Sequence, residues 1–328
     1  MNFEEVIIVG SGPCGMSTAL ELKKHRINPL IIEKGNIVNS IYSYPTHQTF
    51  FSSSDKLEIG DMPFISAKHK PVRIEALAYY REVAKRNKLR INAFETVQDI
   101  SKKDNLFTVK TINQFDEEVF YKTKYVILAT GYYDQPNFLN IPGSSLPHVT
   151  HYFKEAHPYF NQKVVVIGGK NSAIDTALEL YHANADVTLL YRGPDYSKSI
   201  KPWILPEFTS LVKHNKVKVA FNANVIEIRS DIIRYEVDQE IIEEPIDFVF
   251  AMTGYHPQIE LLKKLNVEVD LKSGRPEFNS DTYETNVTNL YVAGVIISGF
   301  ESNETFIENG RLHGKKIASN IYLDKEKN

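Results

Sequence analysis

The stretch Val6-Ile7-Ile8-Val9-Gly10-Ser11-Gly12-Pro13-Cys14-Gly15 decides how the chain is read. Four branched aliphatic residues predict a buried strand, and the Gly-x-Gly-x-x-Gly after them predicts a tight turn into a helix. Met16, Ala19 and Leu20 continue at helical spacing, and a second apolar run, Pro29-Leu30-Ile31-Ile32, ends on Glu33. Glu33 stands 18 residues beyond Gly15, close to the ~20 expected in a dinucleotide-binding βαβ unit. Gly10 makes the turn, Gly12 lets backbone approach a pyrophosphate, and Gly15 lets the helix pack on the strand. The helix N-terminus faces the phosphates, and Glu33 accepts hydrogen bonds from an adenosine ribose. A glycine-rich turn before an ordinary helix would account for the glycines but not for strand, helix and acid together.

Working outward, the same loop holds Cys14, the sole cysteine among 328 residues. One cysteine excludes an intramolecular disulfide and any dithiol centre within one chain. A formal net charge of −3 suggests neither nucleic acid nor an anionic membrane as partner. No apolar run is long enough to span a bilayer, and Met1-Asn2-Phe3-Glu4-Glu5 lacks the basic start of a signal peptide. A soluble, cytoplasmic protein of two domains is expected.

The βαβ pattern recurs. Val164-Val165-Val166-Ile167 leads into Gly168-Gly169-Lys170-Asn171-Ser172-Ala173, a helix through Leu180, and a strand Asp186–Tyr191 ending at Arg192. Lys170 occupies the second-glycine position, where its ammonium can pair with a phosphate. Arg192 replaces the ribose-binding acid, a swap that favours the 2′-phosphate of NADP, because a carboxylate repels it and a guanidinium holds it. Lys198 and Lys201 follow closely; a surface arginine after a strand is the plainer alternative. The fold class is therefore α/β, with two Rossmann-like dinucleotide-binding domains.

Elsewhere, residues 34–70 read as an aromatic-rich loop too long for a mere connection. A helix from Ile74 to about Lys88 and short strands around Asn105–Thr111 and Glu118–Tyr121 follow. Lys124–Leu128 predicts a buried strand ending in Ala129-Thr130-Gly131, and Ile246–Gly254 is its counterpart. The linker Tyr132–Gln162 carries His148, His151 and His157, but no acid or thiol completes a metal site there. Leu290–Gly294 predicts a last buried strand. A helix from about Asn303 to Tyr322 follows, capped by Ser302 or Asn303, with Glu304 at its positive end.

In this order, the parts resemble the two-dinucleotide-domain flavoprotein reductases, and by size the low-molecular-weight thioredoxin reductases. That resemblance implies an NADPH domain inserted into a discontinuous FAD domain, with residues 1–132 and 257–328 for FAD and 133–256 for NADPH with the linker. There is no Cys-x-x-Cys pair, and Val295 follows Gly294 where the wider family has an aspartate. Gly-Pro-Cys-Gly at 12–15, Thr49–Ser54, Leu57–Asp61, Gly168–Ala173 and Phe306–Arg311 resemble the YpdA-type bacillithiol disulfide reductases.

That resemblance implies FAD held by Gly10, Ser11, Gly12, Pro13, Gly15, Glu33, Lys34, Gln48, Thr49, Thr130, Gly131, Gly294, Thr305 and Phe306. It implies NADPH held by Gly168, Gly169, Lys170, Asn171, Ser172, Arg192, Lys198 and Gly254, and bacillithiol disulfide as substrate. Hydride would pass from NADPH to FAD, then electrons to the disulfide through Cys14. A helix N-terminus at Asn303–Phe306 would stabilise the reduced flavin, and the start of the first helix would lower the Cys14 pKa toward neutrality.

Two readings of Cys14 stay open on the residues alone: redox sulfur, or a small packing residue beside the pyrophosphate. The rival functions are a flavin monooxygenase, whose Gly-x-x-x-His spacing is missed by one residue between Gly143 and His148, a ferredoxin or flavodoxin reductase, and a non-catalytic nucleotide sensor. A homo-oligomer built through the FAD domain is compatible with the sequence, with no residue pointing to it.

Overall fold

The aliphatic run at the start of the chain is continuous because both faces of its strand are covered. In the computed structural model, which describes residues 2–301 and 304–327, Val6, Ile7 and Ile8 are fully buried within the strand Asn2–Val9. The chain divides into two units, Met1–Gln135 with Tyr255–Asn328, and Pro136–Gly254. The two crossings fall three residues after and two residues before those expected from the sequence.

In the first unit the sheet runs Arg90–Ala93, Leu30–Glu33, Asn2–Val9, Glu118–Leu128, Leu106–Ile112, Thr96–Lys103, with Leu290–Val292 also pairing to Glu118–Leu128. The two strands expected on either side of Thr123 are one. Its first half pairs antiparallel with Leu106–Ile112 and its last three residues pair parallel with Leu290–Val292. Burial along it changes from alternating to continuous at Tyr125, as a half-solvated hairpin arm becomes a strand covered on both faces. That change of pattern makes one strand look like two in sequence. The 34–70 stretch contains two single-turn helices, Asn39–Tyr42 and Ser54–Leu57.

The single helix expected over 303–322 is also corrected. Ile307–Gly310 and His313–Lys327 are separate, broken at Arg311 and Leu312. Ser17 Oγ donates to the Arg311 carbonyl at 2.7 Å, satisfying an acceptor at the break. Ser302 and Asn303 lie outside the described residues, and Glu304, Thr305 and Phe306 precede the helix rather than forming its first turn. His313–Lys327 packs on the glycine-loop helix Pro13–Lys24, burying Ile317, Ala318 and Ile321. The helices approach tightly at Gly314, where a Cβ would stand 2.6 Å from Thr18 Cα.

The second unit has a parallel sheet ordered Lys218–Ala220, Asp186–Leu190, Lys163–Ile167, Phe248–Ala251, Val149–Thr150. Its helix Asn171–His182 buries Ala173, Ile174, Ala177, Leu178 and Leu180. A separate antiparallel sheet, Asn224–Ile228, Ile232–Val237 and Glu240–Pro245, and the helix Leu205–Lys213 occupy a region to which the sequence reading assigns no element. Val149–Thr150 is a strand inside the expected linker. Among the described residues no helix is long and apolar enough to cross a membrane.

Overpacking a crossing of this kind costs roughly 1–3 kcal/mol. Gly314→Ala is therefore expected to lower the urea midpoint of the transition of the first unit. An unchanged midpoint would show that the two helices separate freely.

Candidate functional site

The first glycine loop is built from contacts that exclude side chains. Gly10 has φ +108°, and a Cβ there would lie 2.4 Å from the Ala129 carbonyl oxygen; at Gly15 it would lie 2.1 Å from the Gly10 carbonyl oxygen. Gly12 differs: a Cβ built there meets nothing within 4 Å. The middle glycine thus faces open space at the start of the helix Pro13–Lys24, with Pro13 in its first turn, the arrangement a pyrophosphate requires. Beside Gly10, the buried Thr130 hydroxyl has no hydrogen-bond partner among the described residues, a polar group such as a nucleotide would satisfy. The residues present fit a dinucleotide.

Glu33 is buried at the end of its strand. Its Oε2 accepts from the Ser11 N–H and hydroxyl at 2.7 and 3.1 Å, and its Oε1 accepts from the Gly35 N–H at 2.9 Å. A carboxylate has about four acceptor sites, so holding the loop leaves about one for a ribose hydroxyl. The loop is also covered by Val38, whose N–H donates to the Ser11 carbonyl at 3.2 Å. Val38 is buried in the left-handed region at φ +50°, a strained conformation for a β-branched residue.

Cys14 is the second residue of the helix, and its sulfur is enclosed by glycines far away in sequence. A Cβ at Gly294 (φ +78°) would stand 3.0 Å from Sγ, and one at Gly310 would stand 2.8 Å away. Cys14 keeps part of its surface open, yet desolvation of the thiol pushes it up to about 12. The expected lowering toward neutrality is overturned, because burial penalises the thiolate by more than a helix terminus favours it. Burial raises the neighbouring Tyr44 and Tyr80 hydroxyls as well, so neither supplies a base near neutral pH.

The remaining candidate flavin residues divide by location. Thr305 is buried and shares a 2.5 Å hydrogen bond with Ser298, and its methyl lies 3.4 Å from the position of a Gly310 Cβ. Gly131 (φ +70°) continues from Thr130. Lys34 is ion-paired with Asp134. Gln48 and Thr49 are tied to the start of the helix Arg73–Arg86: the Gln48 carbonyl accepts from the Arg73 N–H, and Thr49 bridges Val72. Phe306 is half exposed and donates its N–H to Asn309 Oδ1 at 2.7 Å. His313, which the sequence reading does not single out, is buried and accepts the Gly294 N–H through Nδ1 at 3.1 Å. Its spacing to Ile317 and Ile321 continues the buried stripe, the one sequence signal that marks it.

The second glycine loop repeats the logic with different parts. Gly168 has φ +146°, and a Cβ there would meet the Met252 carbonyl oxygen at 2.5 Å; at Gly169 it would meet the Tyr191 ring at 2.3 Å. Ala173 fills the third-glycine position and is buried. Asn171 ties the start of its helix to the loop beyond Arg192: its Nδ2 donates to the Ser199 carbonyl at 3.1 Å, and its Oδ1 accepts from the Lys201 N–H at 2.8 Å. Ser172 opens the same helix beside it. Lys170, Arg192 and Lys198 are exposed, and Gly254 (φ +88°) closes the counterpart strand. His148 Nε2 is 3.0 Å from the Arg229 carbonyl oxygen, and among the described residues no three His, Cys, Asp or Glu side chains gather to hold a metal.

A model of the family described as pyridine nucleotide-disulphide oxidoreductase matches residues 7–294. The chain is 56% identical over 320 residues to bacilliredoxin reductase Bdr of Bacillus subtilis (strain 168), covering 97% of each. It is similar to the solved bacillithiol disulfide reductase Bdr (YpdA) from Bacillus cereus, with TM-score 0.97 and 55% identity over 98% of this chain and 100% of that one. The structure of the same-named protein from Staphylococcus aureus gives TM-score 0.94 and 55% identity over 99% and 100%. With a matched region that spans both glycine loops and a relative of more than half identity along nearly its whole length, the chain belongs to the pyridine nucleotide-disulphide oxidoreductase family.

Proposed function

We propose that this oxidoreductase takes hydride from NADPH through FAD and reduces the disulfide of bacillithiol, with Cys14 as the reacting sulfur of the protein. The observation that carries the reading is the position of the chain's only thiol: within the loop that fits the first dinucleotide, walled by Gly294 and Gly310. The similarity to proteins named for bacillithiol disulfide reduction supports the substrate. Bound flavin supplies the relay between a two-electron hydride donor and a disulfide.

The chain's own residues do the rest. Gly10, Gly12 and Gly15 shape the phosphate loop, and Glu33 fixes it through Ser11. Burial keeps the proton on Cys14 Sγ at rest, its pKa pushed up to about 12 by desolvation. Exchange with the substrate forms a bond from Sγ to one bacillithiol sulfur and breaks the substrate S–S bond. The other bacillithiol leaves carrying the proton, and two electrons from bound reduced flavin, with two protons, would then cleave the mixed disulfide, release the second bacillithiol and restore the Cys14 thiol. In the second unit, Lys170, Arg192 and Lys198 supply positive charge where a 2′-phosphate would add negative charge.

The monooxygenase alternative loses its fingerprint residues to structural work. A Cβ at Gly143 would stand 1.8 Å from the Ile228 carbonyl oxygen, and His148 is held at Arg229.

Three measurements test the reading. Cys14→Ala, with FAD retained, should lower bacillithiol disulfide turnover by at least about a hundredfold while NADPH still bleaches the flavin. Turnover near the wild-type rate would make Cys14 a packing residue. Arg192→Ala should raise KM for NADPH about tenfold or more and leave KM for NADH unchanged; equal effects on both would remove the 2′-phosphate assignment. Because the thiol is held protonated, alkylation of Cys14 should quicken about tenfold per pH unit from pH 7 to 10. A plateau near neutrality would show a thiolate already formed.

A further inference from the structure

Gly294 is the point at which three separate parts of the first unit meet. It follows the strand Leu290–Val292, turns at positive φ, and presses its bare Cα side against Cys14. Gly310 closes from the other side: a Cβ there would lie 2.8 Å from Sγ and 3.2 Å from Gly294 Cα. Such a junction has no side chain of its own to keep it in place. What restrains it is a hydrogen bond from the Gly294 N–H to His313 Nδ1, at 3.1 Å and buried.

His313 is itself held on several sides. Its ring stacks on Tyr283 with centroids 4.3 Å apart and planes 17° from parallel. The Tyr283 carbonyl accepts from the Val292 N–H at 3.0 Å, so the stacking partner is pinned to the same strand. The next residue, Gly314, lies against Thr18 of the glycine-loop helix, and Thr18 Oγ1 donates to the Cys14 carbonyl at 2.8 Å. Lys316, one turn on, has its Nζ 5.7 Å from the centre of the Tyr283 ring. Burial, with Lys316 adding to it, holds the His313 ring down to about 4. At neutral pH the imidazole is uncharged, and a ring that accepts at Nδ1 carries its proton on Nε2.

The geometry points to His313 as a positioning residue: its Nδ1 holds the Gly294 amide, and through it the backbone wall on which Cys14 Sγ rests. Losing the acceptor leaves a buried N–H unsatisfied and frees the wall to move away from the sulfur. The inference rests on the reading of Cys14 as the reacting sulfur and adds the group that sets its surroundings.

The chain's single cysteine gives a direct readout, since iodoacetamide on the native holoenzyme reports Cys14 alone. His313→Phe keeps a ring over Tyr283 and removes the acceptor, whereas His313→Asn offers Oδ1 close to the Nδ1 position. The Phe variant should be alkylated about tenfold faster and lose disulfide turnover by a similar factor, with bleaching of the flavin by NADPH unchanged. The Asn variant should stay near wild type in both. Asn and Phe shifting together, or alkylation unchanged in both, would overturn the proposal. Should the Phe variant not fold, His313→Gln, whose longer side chain carries its oxygen past Nδ1, should behave as the Phe variant was expected to; Gln matching Asn would likewise overturn it. If alkylation separates Phe from Asn while Cys14→Ala retains its turnover, His313 still positions the wall and only the redox role of Cys14 falls.

Discussion

Two approaches between backbone atoms, each closer than any side chain permits, set the geometry of the first unit. Gly10 lies against the Ala129 carbonyl, and Gly15 lies against the Gly10 carbonyl. Together they lock the end of the first strand, the turn after Leu128 and the opening of the first helix into one piece. Everything near the candidate site hangs from that piece: the open face at Gly12, the clamp from Ser11 to Glu33, and the direction in which Cys14 projects. Because the helix must start so close to the strand, its second residue is carried inward, where the turn after Val292 and the end of Ile307–Gly310 enclose it.

Both nucleotide-binding units were legible because their signals are local. Strand, glycines, helix and acid or arginine fall within about thirty residues, and steric contacts within that span enforce them. The environment of Cys14 was not legible, because Gly294 and Gly310 reach it from the far end of the chain. A helix terminus is worth up to about 2 kcal/mol to a charge, whereas full burial moves a pKa by as much as 3–5 units. A sequence shows the first effect and hides the second. The same distinction bears on the break at Arg311 and Leu312: Gly310 marks it in the sequence, but the compensating hydrogen bond comes from a serine of the first helix. It also explains His313, whose place on an apolar stripe was visible but whose partner, a backbone amide, was not.

The second unit shows how the same supersecondary plan serves a different charge. Where the first unit ends its second strand on a buried carboxylate, the second ends on exposed cations, and Asn171 fixes the loop that carries Lys198 to the start of the helix. Tyr191 packs in the gap left by Gly169 and Gly193: a Cβ on either would stand within 2.5 Å of its ring. The departure at Lys170 is therefore compatible with the loop, because the two preceding glycines do the close packing and Lys170 lies at its exposed rim.

The strand Leu290–Val292 bears on how the protein is made. It pairs with Glu118–Leu128, and the helix that covers the glycine loop comes later still, at His313–Lys327. Everything the second unit needs, residues 136–254, leaves the ribosome before either of them. During synthesis, at about 5–20 residues per second, the second unit can close its core while the first waits with a sheet edge unpaired and the Cys14 thiol uncovered. Enclosure of the sulfur is thus among the last events of folding. Until those two elements arrive, the nascent chain lacks the backbone wall at Gly294 and Gly310 that lies against the sulfur in the finished protein.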